Sequence, residues 1–319
     1  MQKRIVFLDA QSIAPEIQWP KLSFEHLYQA YPNTLPEQIP ARIKDADIVI
    51  SNKVPLGLEQ LRQAPRLKHI AIPATGYNHI DLTACTQAQI SVSNIRDYAE
   101  VTVPEHCLAM IFALQRSLVP YHKSVARGRW QESGMFCYHD YPITQVQGST
   151  LGIIGAGTLG RALAHKAQAL GMQVLFAERK GATNIRPGYT AFEELLAQSD
   201  VISLHCPLTE DTFHLLDRTA FQHMHRHPVL LNTSRGALIE VPALVEALDN
   251  GQIRAAGIDV VEEEPPAADH PFMALLDRPN VIMTPHVAWA NRTAMQRLVE
   301  QLVANIEAFV HGAPINLVL

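Results

Sequence analysis

The sequence predicts an α/β protein built on two doubly wound, largely parallel sheets. Three observations predict it. Short β-branched runs alternate with turns and helical stretches along the whole chain. The runs fall into an early and a late series, and a glycine-rich turn joins the first strand of the late series to the helix behind it. With 319 residues, 47% hydrophobic and 18% charged, the chain can bury at least one full core, which excludes disorder as its main character.

In chain order, the expected strands of the first unit are 4–8, 47–51, 68–72 and 90–93, separated by segments rich in Pro and Gln. One long helix, about 103–119, leads to the second unit. There the expected strands are 150–154, 173–177, 201–204, 229–231, 255–260 and 281–283, with helices between most of them. The last element is a helix with Asn291 as N-cap, Leu298, Val299, Leu302, Val303 and Ile306 at a 3.6-residue period, and Gly312 as its stop. Its position after the last strand suggests a discontinuous first domain, 1–98 plus 290–319, and a second domain of 99–289, although periodicity alone does not require that return.

Several function classes are disfavoured. The longest apolar run, 107–114, has eight residues, whereas a membrane-spanning helix needs roughly 18 or more. The apolar stretch 5–8 closes at Asp9, shorter than the roughly 7–15 residues of a secretory core, so a cytoplasmic protein is expected. A net charge of −5 without a basic block argues against nucleic acid. The four cysteines are dispersed and form no Cys-x-x-Cys pair, so neither disulfides nor zinc are expected. The cluster His223-Met224-His225-Arg226-His227 reads as a solvated helix end rather than a metal site, because no carboxylate or thiol is placed with it.

Gly155-Ala156-Gly157-Thr158-Leu159-Gly160 follows an apolar strand and opens a helix that Gly171 ends. In that context the glycines permit a tight turn, close approach of backbone to a pyrophosphate, and close packing of helix on strand. The helix N-terminus adds free N–H groups and partial positive charge. Glu178, 18 residues beyond Gly160, ends the next strand, where a carboxylate accepts bonds from a ribose 2′-OH. That favours NAD as the cofactor, while Arg179 and Lys180 admit NADP as well.

Arg235, Glu264 and His286 lie just past strand ends of the second unit, where doubly wound sheets place their ligand crevice. A guanidinium there suits a carboxylate, and an imidazole can give and take a proton near neutrality. On spacing alone each also reads as structure: a surface Arg, a satisfied His, and a solvated Glu262-Glu263-Glu264 run.

Taken in order, Gly-x-Gly-x-x-Gly, Asn232-Thr233-Ser234-Arg235-Gly236, Gly257-Ile258-Asp259-Val260 with Glu264-Pro265-Pro266, and Thr284-Pro285-His286 resemble the D-isomer-specific 2-hydroxyacid dehydrogenase family across nearly the whole chain. The resemblance implies a flavodoxin-like substrate domain and a Rossmann dinucleotide-binding domain, with Arg235, Glu264 and His286 catalytic. It implies cofactor contacts from Gly155, Gly157, Thr158, Leu159, Gly160, Glu178, Arg179 and Thr212, with Cys206-Pro207 on the adenine side. Thr102, Thr233, Ser234 and Asp259 would lie near the nicotinamide ribose and carboxamide. The loop Ala74-Thr75-Gly76 would hold the substrate carboxylate through backbone N–H groups, together with Arg235 and His286. The sequence departs from the family at Val103-Pro104-Glu105-His106, where Val-Ala-Glu-His is usual.

Residues 177–180 and 284–290 are similar to the bacterial, hydroxypyruvate-reducing glycerate dehydrogenases of that family. The chain stops at Leu319 without the regulatory domain that phosphoglycerate dehydrogenases often add, so a small unphosphorylated 2-keto acid is expected. The resemblance further implies hydride transfer with NAD(H) and a homodimer formed through the second domain. Two alternatives stand beside this reading: a formate or phosphite dehydrogenase on the same fold, and a non-catalytic NAD-sensing corepressor or scaffold.

Overall fold

Eleven strands, most of them short apolar runs, form in the computed structural model, which describes residues 2–319. The chain divides into two units, one running up to Tyr98 and including Ala290–Leu319, the other Ala99–Trp289.

In the first unit, β1 (Lys3–Phe7), β2 (His26–Ala30), β3 (Ile48–Ile50), β4 (His69–Ala71) and β5 (Ser91–Ser93) pair in parallel in the order β2-β1-β3-β4-β5. This is the flavodoxin-like order. The central strand β3 is apolar and buried along its whole length because both sheet faces are covered. β2 escapes sequence reading because it is an edge strand whose residues are mostly exposed, so it carries no apolar alternation. The helix Arg292–Val310 buries Leu298, Val299, Leu302 and Ile306, and Phe309 stacks on His69 of β4 at 4.4 Å between ring centres. Asn291 caps it as expected, accepting the Ala294 N–H at 2.7 Å.

The C-terminal ends of these strands carry the polar loops. Asp9 follows β1, and its carboxylate accepts the N–H groups of Asn52 (2.9 Å) and Lys53 (2.6 Å) beyond β3. Ala74-Thr75-Gly76 follows β4 and is tied to the loop after β5: Thr75 Oγ1 donates to Ile95 O at 2.9 Å, and Asn94 Nδ2 donates to Thr75 O at 2.8 Å.

The second unit holds β6 (Thr150–Ile154), β7 (Gln173–Phe176), β8 (Val201–Leu204), β9 (Val229–Asn232), β10 (Ala255–Ile258) and β11 (Val281–Met283). All pair in parallel, in the order β11-β10-β9-β8-β6-β7. The chain steps outward from β6 to β7 and returns to β8 on the other side of β6. The topological switch point, where such sheets open a ligand crevice, therefore lies between β6 and β8.

The single helix expected over 103–119 is two helices, Thr102–Gln115 and Leu118–Ala126. Pro120 explains the break, since its ring would clash with the Arg116 carbonyl four residues back in a continuous helix. The chain turns at Ser117, whose φ is 49°, and Ser117 Oγ donates to Pro142 O at 2.6 Å. Among the described residues, no helix is long and apolar enough to cross a membrane.

Candidate active site

At the switch point, Gly155 has φ +108°, and a Cβ on it would lie 2.4 Å from the carbonyl carbon of His205 and 2.5 Å from Cys206 N. The loops after β6 and β8 thus touch backbone to backbone. A Cβ on Gly160 would meet Gly155 O at 2.1 Å, whereas at Gly157 nothing lies within 4 Å, leaving open space above the cradle. The helix Thr158–Ala169 begins there, so its unpaired first-turn N–H groups and dipole favour an anion.

Beside the cradle is a cavity of about 710 Å³ lined by Ala156, Glu178, Arg179, Cys206, Pro207 and Thr212, among others. Apolar walls with a few polar groups at the edge fit the adenosine half of a dinucleotide. Thr212 Oγ1 donates to Pro207 O at 2.7 Å and fixes one wall. Burial pushes the Cys206 thiol up to about 11, so it packs as a neutral group. Glu178 lines the cavity and is only 5% exposed. The Arg186 guanidinium hydrogen-bonded to it holds its carboxyl down to about 2. Glu178 therefore stays ionised throughout the neutral range.

The cation expected at Lys180 for a 2′-phosphate is engaged elsewhere: its Nζ donates to Asp217 Oδ2 at 2.8 Å and to Leu215 O at 3.2 Å. The cation against Glu178 is Arg186, which reading the sequence missed. Its position comes from Arg186-Pro187-Gly188-Tyr189, where Tyr189 N donates to Arg186 O at 3.0 Å and Gly188 has φ +81°. Pro followed by Gly at the two central positions is the signature of a type II turn, and it was the available signal.

Arg235, Glu264 and His286 sit on the loops beyond β9, β10 and β11, three adjacent strands of the sheet. Gly236 is pressed against the Glu264 loop, since a Cβ there would lie 1.9 Å from the carbonyl carbon of Val261. Asn232 shapes the Arg235 turn by donating from Nδ2 to Arg235 O at 2.9 Å and accepting Ser234 N–H at 3.1 Å, while Ser234 Oγ donates to Leu204 O at 2.6 Å. Glu264 accepts Val261 N–H on Oε1 at 3.1 Å, and its Oε2 is 2.6 Å from His286 Nδ1. With the carboxylate ionised, Nδ1 carries the proton and donates, leaving Nε2 as the proton-exchanging atom.

His286 has φ +54°, a strained conformation for a side chain of this size, and the surroundings enforce it. Its N–H donates to Asp259 O at 2.8 Å. The Asp259 side chain, 2% exposed, accepts the N–H groups of Val287 and Ala288, each at 2.9 Å, and the hydroxyl of Thr284. His106 Nε2 lies 3.1 Å from Thr284 Oγ1, which adds His106 to this support. Thr102 Oγ1 donates to Ala288 O at 3.1 Å, and Thr233 Oγ1 is 3.4 Å from Cys107 Sγ. Asp259, Thr102 and Thr233, expected beside the nicotinamide, thus make their visible bonds within the protein, those of Asp259 and Thr102 bracing the loop that bears His286. Among the described residues no group of three or more His, Cys, Asp or Glu is arranged to hold a metal ion. Arg226 of the histidine-rich stretch pairs with Asp200 at 2.9 Å, and His227 Nδ1 lies 2.6 Å from Gly251 O.

A parallel sheet with a phosphate cradle at its switch point, and an acid–base pair beyond neighbouring strands, is the frame of a nicotinamide-dependent dehydrogenase. Residues 108–288 match the NAD binding domain of the D-isomer specific 2-hydroxyacid dehydrogenases, and the chain belongs to that family of oxidoreductases, which act on a CH–OH group. A glycerate dehydrogenase of Methylorubrum extorquens is 47% identical to it, the match covering 100% of this chain and 99% of the relative. A hydroxypyruvate reductase of Blautia hydrogenotrophica is 36% identical over 99% of each chain. Among solved structures, the D-lactate dehydrogenase of Aquifex aeolicus complexed with NAD and lactic acid superposes with a TM-score of 0.81 at 28% identity, covering 97% of this chain and 96% of that one.

Proposed function

We propose that the chain is an NAD(H)-linked reductase of small 2-keto acids, acting on hydroxypyruvate and glyoxylate to give D-glycerate and glycolate. The observation that carries the reading is the 2.6 Å contact of His286 Nδ1 with Glu264 beside the Arg235 turn, in a chain 47% identical over its full length to a glycerate dehydrogenase. The second unit serves as the cofactor domain: the cradle of Gly155, Gly157, Thr158, Leu159 and Gly160 takes the pyrophosphate, and Glu178, Arg179, Cys206, Pro207 and Thr212 surround the adenosine. The first unit serves as the substrate domain, with the N–H groups of Ala74-Thr75-Gly76 holding the substrate carboxylate.

Bound NADH supplies the hydride that reduces the ketone carbon. Arg235 binds the substrate carboxylate and polarises the ketone, its planar fork meeting two oxygens at once. His286 enters as the imidazolium and gives the Nε2 proton to the oxygen as it gains charge, leaving the ring neutral. Glu264 fixes the ring by accepting the hydrogen bond from Nδ1 at 2.6 Å. Asp259 and Ser234 act by holding the loops.

A keto-acid panel with NADH tests the substrate. Hydroxypyruvate or glyoxylate should give a higher kcat/KM than pyruvate. Preference for bulky branched keto acids, or oxidation of formate or phosphite with no keto acid reduced, contradicts the reading. The reading extends to a cytoplasmic homodimer joined through the second unit, whose exposed Leu118, Trp130, Met135 and Phe136 (84% exposed) would be covered by a second copy. Light scattering on the same preparation should give twice the 35.4 kDa protomer mass, and a single protomer mass contradicts that assembly.

A further inference from the structure

We infer that Arg186 determines cofactor choice, and that by pairing with Glu178 it lets this chain take a 2′-phosphorylated adenosine ribose as well as a plain one. The inference rests on the dinucleotide-binding reading of the cavity. Arg186 Nε donates to Glu178 Oε2 at 2.5 Å and Nη2 donates to Oε1 at 2.7 Å, a bidentate pair. Two backbone donors complete the set, Arg179 N to Oε1 at 3.0 Å and Arg186 N to Oε2 at 3.4 Å. A carboxylate offers about four lone-pair sites, so these four bonds fill it.

Two consequences follow for a ribose beside Glu178. A 2′-OH can donate to this carboxylate only by displacing one of the bonds already made, which weakens the advantage that an acid at this position gives NAD. A 2′-phosphate, for its part, does not meet a bare carboxylate, because the guanidinium stands against it. Arg186 uses Nε–H and one Nη2 hydrogen on Glu178, which leaves three of its five N–H donors for phosphate oxygens.

The guanidinium is placed for that contact. It is 56% exposed, lies over the Tyr189 ring at 4.1 Å from its centre, and lines the cavity. The type II turn at Pro187-Gly188 and the pairing of Thr190 beside Ala177 hold the segment across from the end of β7. The charged lining of the cavity is Arg179, Lys180 and Arg186 against Glu178 and Asp211, a balance that favours an added anion. Lys180 keeps its bond to Asp217, so Arg179 and Arg186 are the phosphate-facing pair.

Calorimetry of the full-length protein with 2′,5′-ADP and with 5′-ADP reads this directly and needs no turnover. A failed substrate assignment would therefore leave its result intact. Wild type should bind 2′,5′-ADP within about tenfold of 5′-ADP or more tightly, and Arg186→Ala should weaken 2′,5′-ADP by about tenfold or more while 5′-ADP binds as before or better. Arg186→Lys, which keeps the charge but not the fork, should fall between the two. The kcat/KM ratio of NADPH to NADH should drop by about the same factor in Arg186→Ala. Equal loss of both ligands in Arg186→Ala, or rejection of 2′,5′-ADP by wild type by about a hundredfold or more, overturns the inference.

Discussion

Replacing His286 with Asn should lower kcat for keto-acid reduction by about two to four orders of magnitude, the range for a positioned acid–base group, with little change in NADH affinity. Asn is the informative substitution because residue 286 has φ +54°, and Asn enters that left-handed region more readily than other side chains. The backbone bonds of 286, 287 and 288 to Asp259 should therefore survive, and the loss reports the missing proton rather than a collapsed loop. Stopped-flow single turnover separates the chemical step from product release. A variant with wild-type kcat would remove His286 from the reaction.

Arg235→Ala should be as damaging but divided differently between the two constants. Removing a donor aimed at a developing oxyanion costs about a hundred- to a thousandfold in kcat. Losing the charge-assisted bonds to the carboxylate, worth roughly 1.5–3 kcal/mol, raises KM by about one to two orders of magnitude. Arg235→Lys should recover part of the KM and little of the kcat, because an ammonium carries the charge without the fork. The Arg235 turn also rests on backbone, with Gly236 packed against Val261, so the alanine variant should keep its fold and its thermal midpoint should stay close to wild type. A change in KM alone would mean that Arg235 binds substrate but does not polarise it.

Much of this frame is legible in the sequence, for reasons that differ by element. Buried parallel strands such as Ile48–Ile50 and Val201–Leu204 announce themselves because both faces are covered and every residue is apolar or small. β2 does not, because an exposed edge imposes no pattern on His26–Ala30. The break between Thr102–Gln115 and Leu118–Ala126 was signalled by Pro120 but masked by the apolar residues on either side of it.

In the candidate site, Gly155, Glu178, Arg235, Glu264 and His286 stand in motifs at fixed spacing from strand ends, so their neighbourhood follows from topology. Arg186 does not. It reaches Glu178 across a turn eight residues away, and only the folded loop reveals that pair. Sequence order likewise brings Asp259 into the His286 region without showing that its carboxylate is occupied by the backbone of residues 287 and 288.

The central claim is that Glu264 positions His286 as the proton donor, and the single-turnover rate of keto-acid reduction in wild type and Glu264→Gln, compared at one pH, tests it most directly. The carboxylate 2.6 Å from Nδ1 holds the ring and keeps a proton on that nitrogen, which leaves Nε2 as the donor to the substrate oxygen. Glutamine has nearly the same shape, but its amide can donate as well as accept, so the ring is no longer held in one protonation pattern. Glu264→Gln should therefore lose about a hundredfold or more in the chemical step, with NADH affinity close to wild type. If its rate stays at the wild-type value, Glu264 is not the partner of His286 in the reaction and the account is contradicted.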